Sequence, residues 1–201
     1  EDNFGGADGI FDFVVGNCSY DGNNANIELP AWIPIPTGMI NFTLSNPLAG
    51  TGASFFSNVV FNDLNQDLAN TGATVGEWTE GDIYASFCAD PNVSINTGPY
   101  DGYAFSSLNV PGLPASYQGL PWGKLNWIAN NMGSYSAADI QDAIWSTIGT
   151  NPGVGANNAL AIAASTQGGF VPTVGDWAIV VLDAEVLGSE DLQLIVVRVD
   201  P

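Results

Sequence analysis

The sequence predicts a mainly β fold, either a β-sandwich or a barrel, that carries a compact α-helical insertion. Short segments rich in Val, Ile, Phe and Thr dominate both ends of the chain, and 24 Gly and 12 Pro separate them. This pattern favours many strands and turns over long helices. The hydrophobic spacing becomes helical only between about residues 122 and 168. The 201 residues fit one domain, 1–201, whose parts 1–121 and 170–201 are mainly β.

Six segments have the composition of β-strands. They are residues 10–15, 39–44, 53–61, 82–89, 177–182 and 192–199. Residues 92–121 are rich in Gly, Pro, Asn and Ser with interspersed tyrosines, and we expect them to form a long ordered loop. Because strands flank the helical part on both sides, the two outer parts of the chain must pair to close the sheet.

Three helices are predicted between the two β parts. The first has its apolar residues at helical spacing, namely Leu125, Ile128, Ala129 and Met132. Ser136 and Asp139 have the spacing of a capping box at the start of a second helix. Gly149 and Pro152 are expected to end that helix. An Ala-rich segment, 157–166, predicts the third helix.

The charge of the chain excludes several classes of function. The formal net charge is −19, and Lys124 and Arg198 are the only cations. Such a surface repels phosphate groups, so we expect that the chain binds neither nucleic acid nor an anionic membrane surface. The chain has no histidine and two cysteines, which excludes Ser-His-Asp and Cys-His enzymes, His-ligated zinc, zinc fingers and iron–sulfur clusters. No cofactor and no metal site are therefore expected.

Two turns of the chain are acidic enough to be considered as calcium sites. Residues 21–24 and 62–67 lack the spacing of an EF-hand, so solvated turns are favoured there over calcium sites.

No apolar run is long enough to span a bilayer. The low lysine content and the abundance of Gly, Asn, Ser and Thr favour an extracellular protein, and we expect the chain to be a trimmed part of a longer one.

Three short segments carry a specific resemblance. In chain order they are Phe87-Cys88-Ala89-Asp90, Ile140-Gln141-Asp142-Ala143-Ile144-Trp145 and Leu192-Gln193-Leu194-Ile195. They resemble the aromatic-Cys-apolar-polar, Thr-Gln-x-Ala-apolar-Trp and apolar-Gln-apolar-apolar motifs of thioester domains, which occur in surface adhesins of Gram-positive bacteria. The resemblance covers roughly residues 82–200, and Ile140 stands where the family usually has Thr.

The resemblance implies an internal thioester between the sulfur of Cys88 and the side-chain carbonyl of Gln193. It also implies that Gln141 and Trp145 lie against this bond, where Gln141 could orient the carbonyl and Trp145 and Phe87 could shield it. The implied function is a bacterial cell-surface adhesion module, a monomeric domain of a larger protein. It would capture an amine-bearing target, such as a lysine of a surface protein, in a single-use reaction rather than as an enzyme.

The residues alone leave other interpretations open. Cys88 has the properties of a small buried hydrophobe or of one half of a disulfide with Cys18, which would make the domain a structural stalk module. Tyrosines in the segment 92–121, such as Tyr100, Tyr103 and Tyr117, favour a noncovalent glycan-binding β-sandwich. A hydrolase with two catalytic carboxylates is a further alternative, although no pair of acidic residues has a characteristic spacing.

Overall fold

The computed structural model describes residues 33, 35–36, 38–45, 56–62, 81, 83–90, 95–149, 158–185 and 194–199. Six strands form a closed antiparallel barrel in the order β1-β2-β3-β6-β5-β4. The strands are β1 (Ile40–Ser45), β2 (Phe56–Phe61), β3 (Ile83–Cys88), β4 (Gly98–Ser106), β5 (Ala178–Glu185) and β6 (Ile195–Val199). The chain between β4 and β5 contains a 3₁₀ helix (Val110–Gly112), α1 (Trp122–Asn130), α2 (Ala137–Ile148) and α3 (Ala159–Ala164).

The prediction of a mainly β fold is confirmed, and so is the pairing of the two outer parts of the chain. β6 pairs with β3, and β5 pairs with β4, both antiparallel. Five of the six predicted strand segments overlap an observed strand, whereas the segment 10–15 lies outside the described residues. No helix in the described part of the chain is long and apolar enough to cross a membrane.

The prediction of a loop over residues 92–121 is wrong, because Gly98–Ser106 forms β4. Tyr100 and Ala104 pack in the barrel interior, so side chains along β4 do alternate between the two faces. The alternation is hidden in the sequence because small residues stand between the aromatic ones. Gly102 lies where a Cβ atom would collide with the backbone oxygen of Asp183 in β5. Glycine in a strand is typical of such a close approach of two backbones. Composition alone therefore indicates a loop where tertiary contact requires glycine.

Two hydrophobic clusters lie on opposite faces of the barrel wall. The interior cluster includes Phe42, Leu44, Phe61, Leu182 and Ile195. The helix-side cluster joins the outer face of β3, β5 and β6 to the three helices and includes Phe87, Val181, Val196, Leu125, Ile144 and Leu160. Since β5 and β6 are covered on both faces, their sequences are continuous apolar runs rather than alternating ones.

The ends of α2 confirm the sequence prediction in detail. Ser136 accepts a hydrogen bond from the backbone N–H of Asp139, and the carboxylate of Asp139 accepts one from the backbone N–H of Ser136. Gly149 ends the helix at φ 86°, a conformation that glycine adopts without strain. Asn158 caps α3 and also donates to the backbone oxygen of Asp139 at 2.6 Å. This bond connects the start of α3 to the first turn of α2.

Candidate functional site

Cys88 is the last residue of β3 and is 5% exposed. It lies directly opposite Ile195 of β6, and its neighbour Phe87 lies opposite Val196. Phe87 and Val196 belong to the helix-side cluster, whereas Ile195 belongs to the interior cluster. Because successive side chains of a strand point to opposite faces, Cys88 shares the interior face with Ile195.

The pairing of β3 with β6 continues for one residue beyond Cys88. The backbone N–H of Ala89 donates to the backbone oxygen of Leu194 at 2.8 Å. In an antiparallel pair, the backbone groups of consecutive residues face opposite neighbours. The N–H and C=O of Cys88 therefore point away from β6, toward the side of β2, whose first residue Phe56 lies opposite Phe87.

Gln141 binds both of these backbone groups with its carboxamide. The N–H of Cys88 donates to Oε1 of Gln141 at 2.9 Å, and Nε2 of Gln141 donates to the carbonyl oxygen of Cys88 at 2.6 Å. Gln141 itself is 2% exposed. We call this pair of hydrogen bonds the Gln141 clamp. It continues the ladder of β3 on the side of β2 with a side chain in place of a strand, so α2 fixes the backbone position of Cys88.

The sequence explains why α2 presents Gln141 to the barrel. The capping box fixes the start of the helix one turn before Gln141. Ile140, Ala143 and Ile144 are buried in the helix-side cluster. Trp145 is buried as well and lies one turn after Gln141, on the same side of the helix. Gln141 is thus a polar residue within the buried face of α2.

Asp142, next to Gln141, has a carboxyl group whose pKa is shifted from its ordinary value. Partial burial raises the pKa of its carboxyl group, and the negative charge of Asp139 three residues earlier raises it further.

The Arg198 guanidinium stacks on Trp177, with 3.7 Å between its central carbon and the ring centroid. Within the described residues, no group of three or more His, Cys, Asp or Glu residues could hold a metal ion.

Two of the predicted site residues lie outside the described residues. These are Gln193, the predicted partner of Cys88, and Cys18, its alternative partner in a disulfide. Leu194, which follows Gln193 in the chain, is described and buried. Both the thioester and the disulfide stay predictions, whereas Cys88, Gln141, Trp145 and Phe87 are all buried on adjoining parts of β3 and α2.

A second carboxamide contact was missed by the sequence analysis. Nδ2 of Asn130 donates to the backbone oxygen of Trp177 at 2.7 Å, and its Oδ1 accepts from the N–H of Trp177 at 2.7 Å. Asn126, one turn earlier, accepts hydrogen bonds from Ser107 Oγ and from the N–H of Ile179. The sequence did contain a signal for these contacts, namely two asparagines four residues apart within the apolar helix α1. We call the Asn130–Trp177 pair the Asn130 clamp.

Comparison of the chain with protein-family models, with curated proteins and with solved structures gives no match. Any functional interpretation therefore depends on the residues of this chain and on their geometry. The centre of that geometry is Cys88, a buried thiol residue whose backbone is held by Gln141 on one side and whose strand pairs with the segment that follows Gln193 on the other.

Proposed function

We propose that this chain is a covalent adhesion module that stores a thioester between Cys88 and Gln193. The observation that carries the proposal is the register of β3 and β6. Leu194, the residue after Gln193, accepts a hydrogen bond from Ala89, the residue after Cys88. Two residues that are far apart in sequence, and that the thioester would join, thus have immediate neighbours in direct contact.

The alternation of side chains also supports the proposal. Ile195 lies opposite Cys88 and shares its face. Residues two apart in an extended strand point to the same side. An extended backbone at residue 193 would therefore direct the side chain of Gln193 to the same face as the Cys88 sulfur.

The chemistry follows from these two side chains alone. The Cys88 sulfur attacks the side-chain carbonyl carbon of Gln193, the C–N bond of the amide breaks, and ammonia leaves with the thiol proton. The resulting thioester has a better leaving group than the amide. A primary amine then attacks the same carbon, the C–S bond breaks, and the sulfur takes up a proton as Cys88 returns to a thiol. The product is an amide bond between Gln193 and the target.

Burial of Cys88 fits the storage of such a bond. A thioester also reacts with water, so it survives only where water is excluded. Cys88 is 5% exposed, and Ile195, which lies opposite it on the interior face, is 1% exposed. The Gln141 clamp adds rigidity, because it fixes the backbone of the nucleophilic residue before reaction. The described residues around Cys88 therefore provide both shielding and orientation.

The charge of the chain fits an amine-bearing target, such as a lysine on a surface protein. A net charge of −19 attracts ammonium groups and concentrates them near the surface. The single lysine, Lys124, leaves few amines for coupling to sister copies. We propose that the chain is one domain of a larger extracellular protein on a bacterial surface, with α1 to α3 as one compact insertion into the barrel. The reaction occurs once per molecule and needs no cofactor, so the domain is not an enzyme.

The test is an intact-mass measurement under denaturing, non-reducing conditions, before and after methylamine. We expect a protein that is lighter than its sequence by one ammonia and that gains one methylamine on treatment. The Cys88→Ala variant should have the full sequence mass and gain nothing, because no sulfur is present to form the thioester. The Cys18→Ala variant is the matched control and should react like the wild-type protein.

Two results would contradict the proposal. One is a wild-type protein whose mass is lower by two hydrogens and returns to the full value on reduction, which would indicate a Cys18–Cys88 disulfide. The other is methylamine incorporation that persists in Cys88→Ala, which would assign the reactive group to another residue.

A further inference from the structure

Three tyrosines in the segment 92–121 lie in different surroundings. Tyr100 packs in the barrel interior, where its ring centroid lies 6.1 Å from that of Phe42 and its hydroxyl donates to the backbone oxygen of Asn96 at 2.7 Å. Tyr117 packs against the helix-side cluster. Tyr103 is half-buried and, within the described residues, belongs to neither cluster. Of the three, Tyr103 is therefore the one whose ring is not used by the core.

Tyr103 lies on the outer face of the barrel wall. Its neighbour Ala104 packs in the interior and lies opposite Leu182, whereas Tyr103 itself lies opposite Asp183 of β5. Because successive side chains of a strand point to opposite faces, Tyr103 and Asp101 both point outward. In the described part of the chain, no residue of β1 or β2 belongs to the helix-side cluster. The helices thus pack mainly on another part of the outer face.

A row of polar side chains runs across β1 to β4 on this outer face. Nδ2 of Asn62, the residue after β2, donates to Oδ1 of Asn41 and, at 3.1 Å, to Oγ1 of Thr43. Nδ2 of Asn41 donates to Oδ1 of Asp101 at 2.9 Å, and these two residues lie directly opposite each other. We call Asn62, Asn41 and Asp101 the polar row. Since neighbouring strands are about 4.8 Å apart, the row is about 10 Å long.

The polar row presents its groups in a fixed orientation. Its hydrogen bonds all run in one direction and end on the carboxylate of Asp101, which is exposed. Because neighbouring side chains already order one another, a ligand that binds them loses little side-chain entropy. A carboxylate has about four acceptor positions, and Asn41 is the one donor that the described residues provide to Asp101. Tyr103, two residues further along β4, adds an aromatic ring on the same face.

This combination of groups matches the chemistry of a neutral saccharide. Sugar hydroxyls donate to carboxylate and carboxamide oxygens and accept from carboxamide N–H groups. The C–H face of a sugar ring packs on a tyrosine, which is a rigid side chain with an apolar body and a polar tip. An anionic ligand is disfavoured by the net charge of −19 and by Asp101 itself. A purely apolar ligand would bury the polar row without giving it hydrogen-bond partners.

We propose that Tyr103 and the polar row form a noncovalent binding site for a neutral saccharide on the outer face of β1 and β4. The sugar ring stacks on Tyr103, and its hydroxyls bind Asp101, Asn41 and Asn62. This site is separate from Cys88, whose side chain points to the barrel interior. It does not depend on the thioester, and it holds the chain on a glycosylated surface whether or not covalent capture follows.

The first test maps the binding of neutral oligosaccharides to the wild-type chain by NMR. The probes are oligosaccharides of glucose, of galactose, of mannose and of N-acetylglucosamine, each added to ¹⁵N-labelled protein at up to millimolar concentration. We expect at least one of them to move the Nδ2 resonances of Asn41 and Asn62, while the Nδ2 resonances of Asn130 stay in place. No change with any of these sugars, or changes confined to residues outside β1 and β4, would overturn the proposal.

Two substitutions then test the roles of the ring and of the carboxylate. Tyr103→Ala should weaken binding about fivefold, because the stacking surface is lost. Asp101→Asn should also weaken it about fivefold, because hydrogen bonds to a charged acceptor are the stronger ones. The matched controls are Ile162→Ala, at an exposed apolar residue of α3, and Asp142→Asn. Wild-type affinity in both site variants would overturn the proposal, and the mapping on wild-type protein decides the case in which a variant does not fold.

A basic partner is the competing occupant of this acidic face, and oligolysine is the probe for it. Salt screens the binding of a cation but has little effect on that of a neutral sugar. If oligolysine at low salt moved the resonances of the polar row and no neutral sugar did, the proposal would be overturned. Cys88→Ala separates this site from the proposed function, because it should lose methylamine incorporation and keep sugar binding. Loss of sugar binding in Cys88→Ala would contradict a separate site.

Discussion

Asn130 and Gln141 connect two helices to the barrel by the same pair of hydrogen bonds, but in different surroundings. Asn130 of α1 binds the N–H and C=O of Trp177, which directly precedes β5. Gln141 of α2 binds the same groups of Cys88, the last residue of β3. The Asn130 clamp is partly exposed, whereas the Gln141 clamp is buried. In each case a carboxamide satisfies backbone groups at a point where the strand ends.

The two clamps differ in the residue that each one holds. Asn130 holds a tryptophan, Trp177. Gln141 holds Cys88, which carries a thiol. The same local solution to an unpaired strand end thus serves stability at one junction and, in our proposal, reactivity at the other. Substitutions at the two junctions should therefore differ in their effects on stability.

Gln141→Ala should be the more damaging of the two clamp deletions and lower the free energy of unfolding by about 3 kcal/mol. The N–H and C=O of Cys88 would both stay buried and lose the carboxamide. Urea unfolding measures the change. Gln167→Ala is the matched control. Among the described residues, the Gln167 side chain donates only to Thr166 Oγ1, at 3.3 Å and in an exposed position, so its loss should cost less than about 0.5 kcal/mol. Equal losses in the two variants would contradict the structural importance of the Gln141 clamp.

Asn130→Ala should lower the free energy of unfolding by about 2 kcal/mol. Asn130 makes three hydrogen bonds, one more than Gln141, but they are partly exposed, so water can replace some of them. Asn131→Ala is the control, because within the described part of the chain this neighbouring carboxamide donates only to the backbone oxygen of Trp127, on the surface of the helix. If Asn130→Ala proved more destabilising than Gln141→Ala, the number of hydrogen bonds rather than their burial would determine the stability of these junctions.

Local features of the fold could be predicted from the sequence. The capping box of Ser136 and Asp139, the left-handed Gly149 and the apolar stripe of α1 depend on residues within one or two turns of each other. β4 could not be predicted. Glycine is typical of loops, so Gly102 gives no sign of a strand. Its presence in β4 depends on the close approach of the backbone of Asp183, which is remote in sequence.

The candidate site, too, has some features that could be predicted from the sequence and others that could not. Cys88 and Gln141 are identified in the sequence by their motifs, and the pairing of the two outer parts of the chain is predicted because strands flank the helices on both sides. The clamp itself depends on where β3 ends relative to β2, which no local pattern encodes. Asn130 was missed for a related reason. Its partner, the backbone of Trp177, has no side-chain signature in the sequence.

Ser136→Ala should lower the free energy of unfolding by about 1 kcal/mol, the usual loss for a helix N-cap. It removes the acceptor for the N–H of Asp139 and half of the capping box. Since α2 carries Gln141, the loss should also loosen the clamp, and hydrogen exchange at the amide of Cys88 should become faster. Ser134→Ala, a change at an exposed serine two residues earlier, should alter neither quantity. A slower exchange at Cys88 in Ser136→Ala would separate the cap from the clamp.

Asp142→Asn should have the smallest effect and the opposite sign. The folded-state pKa of Asp142 lies above its ordinary value of 3.8, so the folded protein binds this proton more tightly than the unfolded chain. Its contribution to stability is complete below pH 3.8 and is lost as the pH rises through the folded-state pKa. The asparagine variant should therefore be more stable than wild type at neutral pH by about 0.3 kcal/mol, an amount kept small by solvent screening.

A second substitution identifies the cause of this gain. Burial is the larger cause of the raised pKa, and the charge of Asp139 is the smaller one. Asp139→Asn removes that charge, so the gain from Asp142→Asn should shrink in the Asp139→Asn background without disappearing. Urea unfolding of the four proteins at neutral pH and near pH 4 measures both terms. If the gain vanished completely in that background, repulsion between the two carboxylates would be its whole cause, and desolvation at the face of α2 next to Gln141 would contribute nothing.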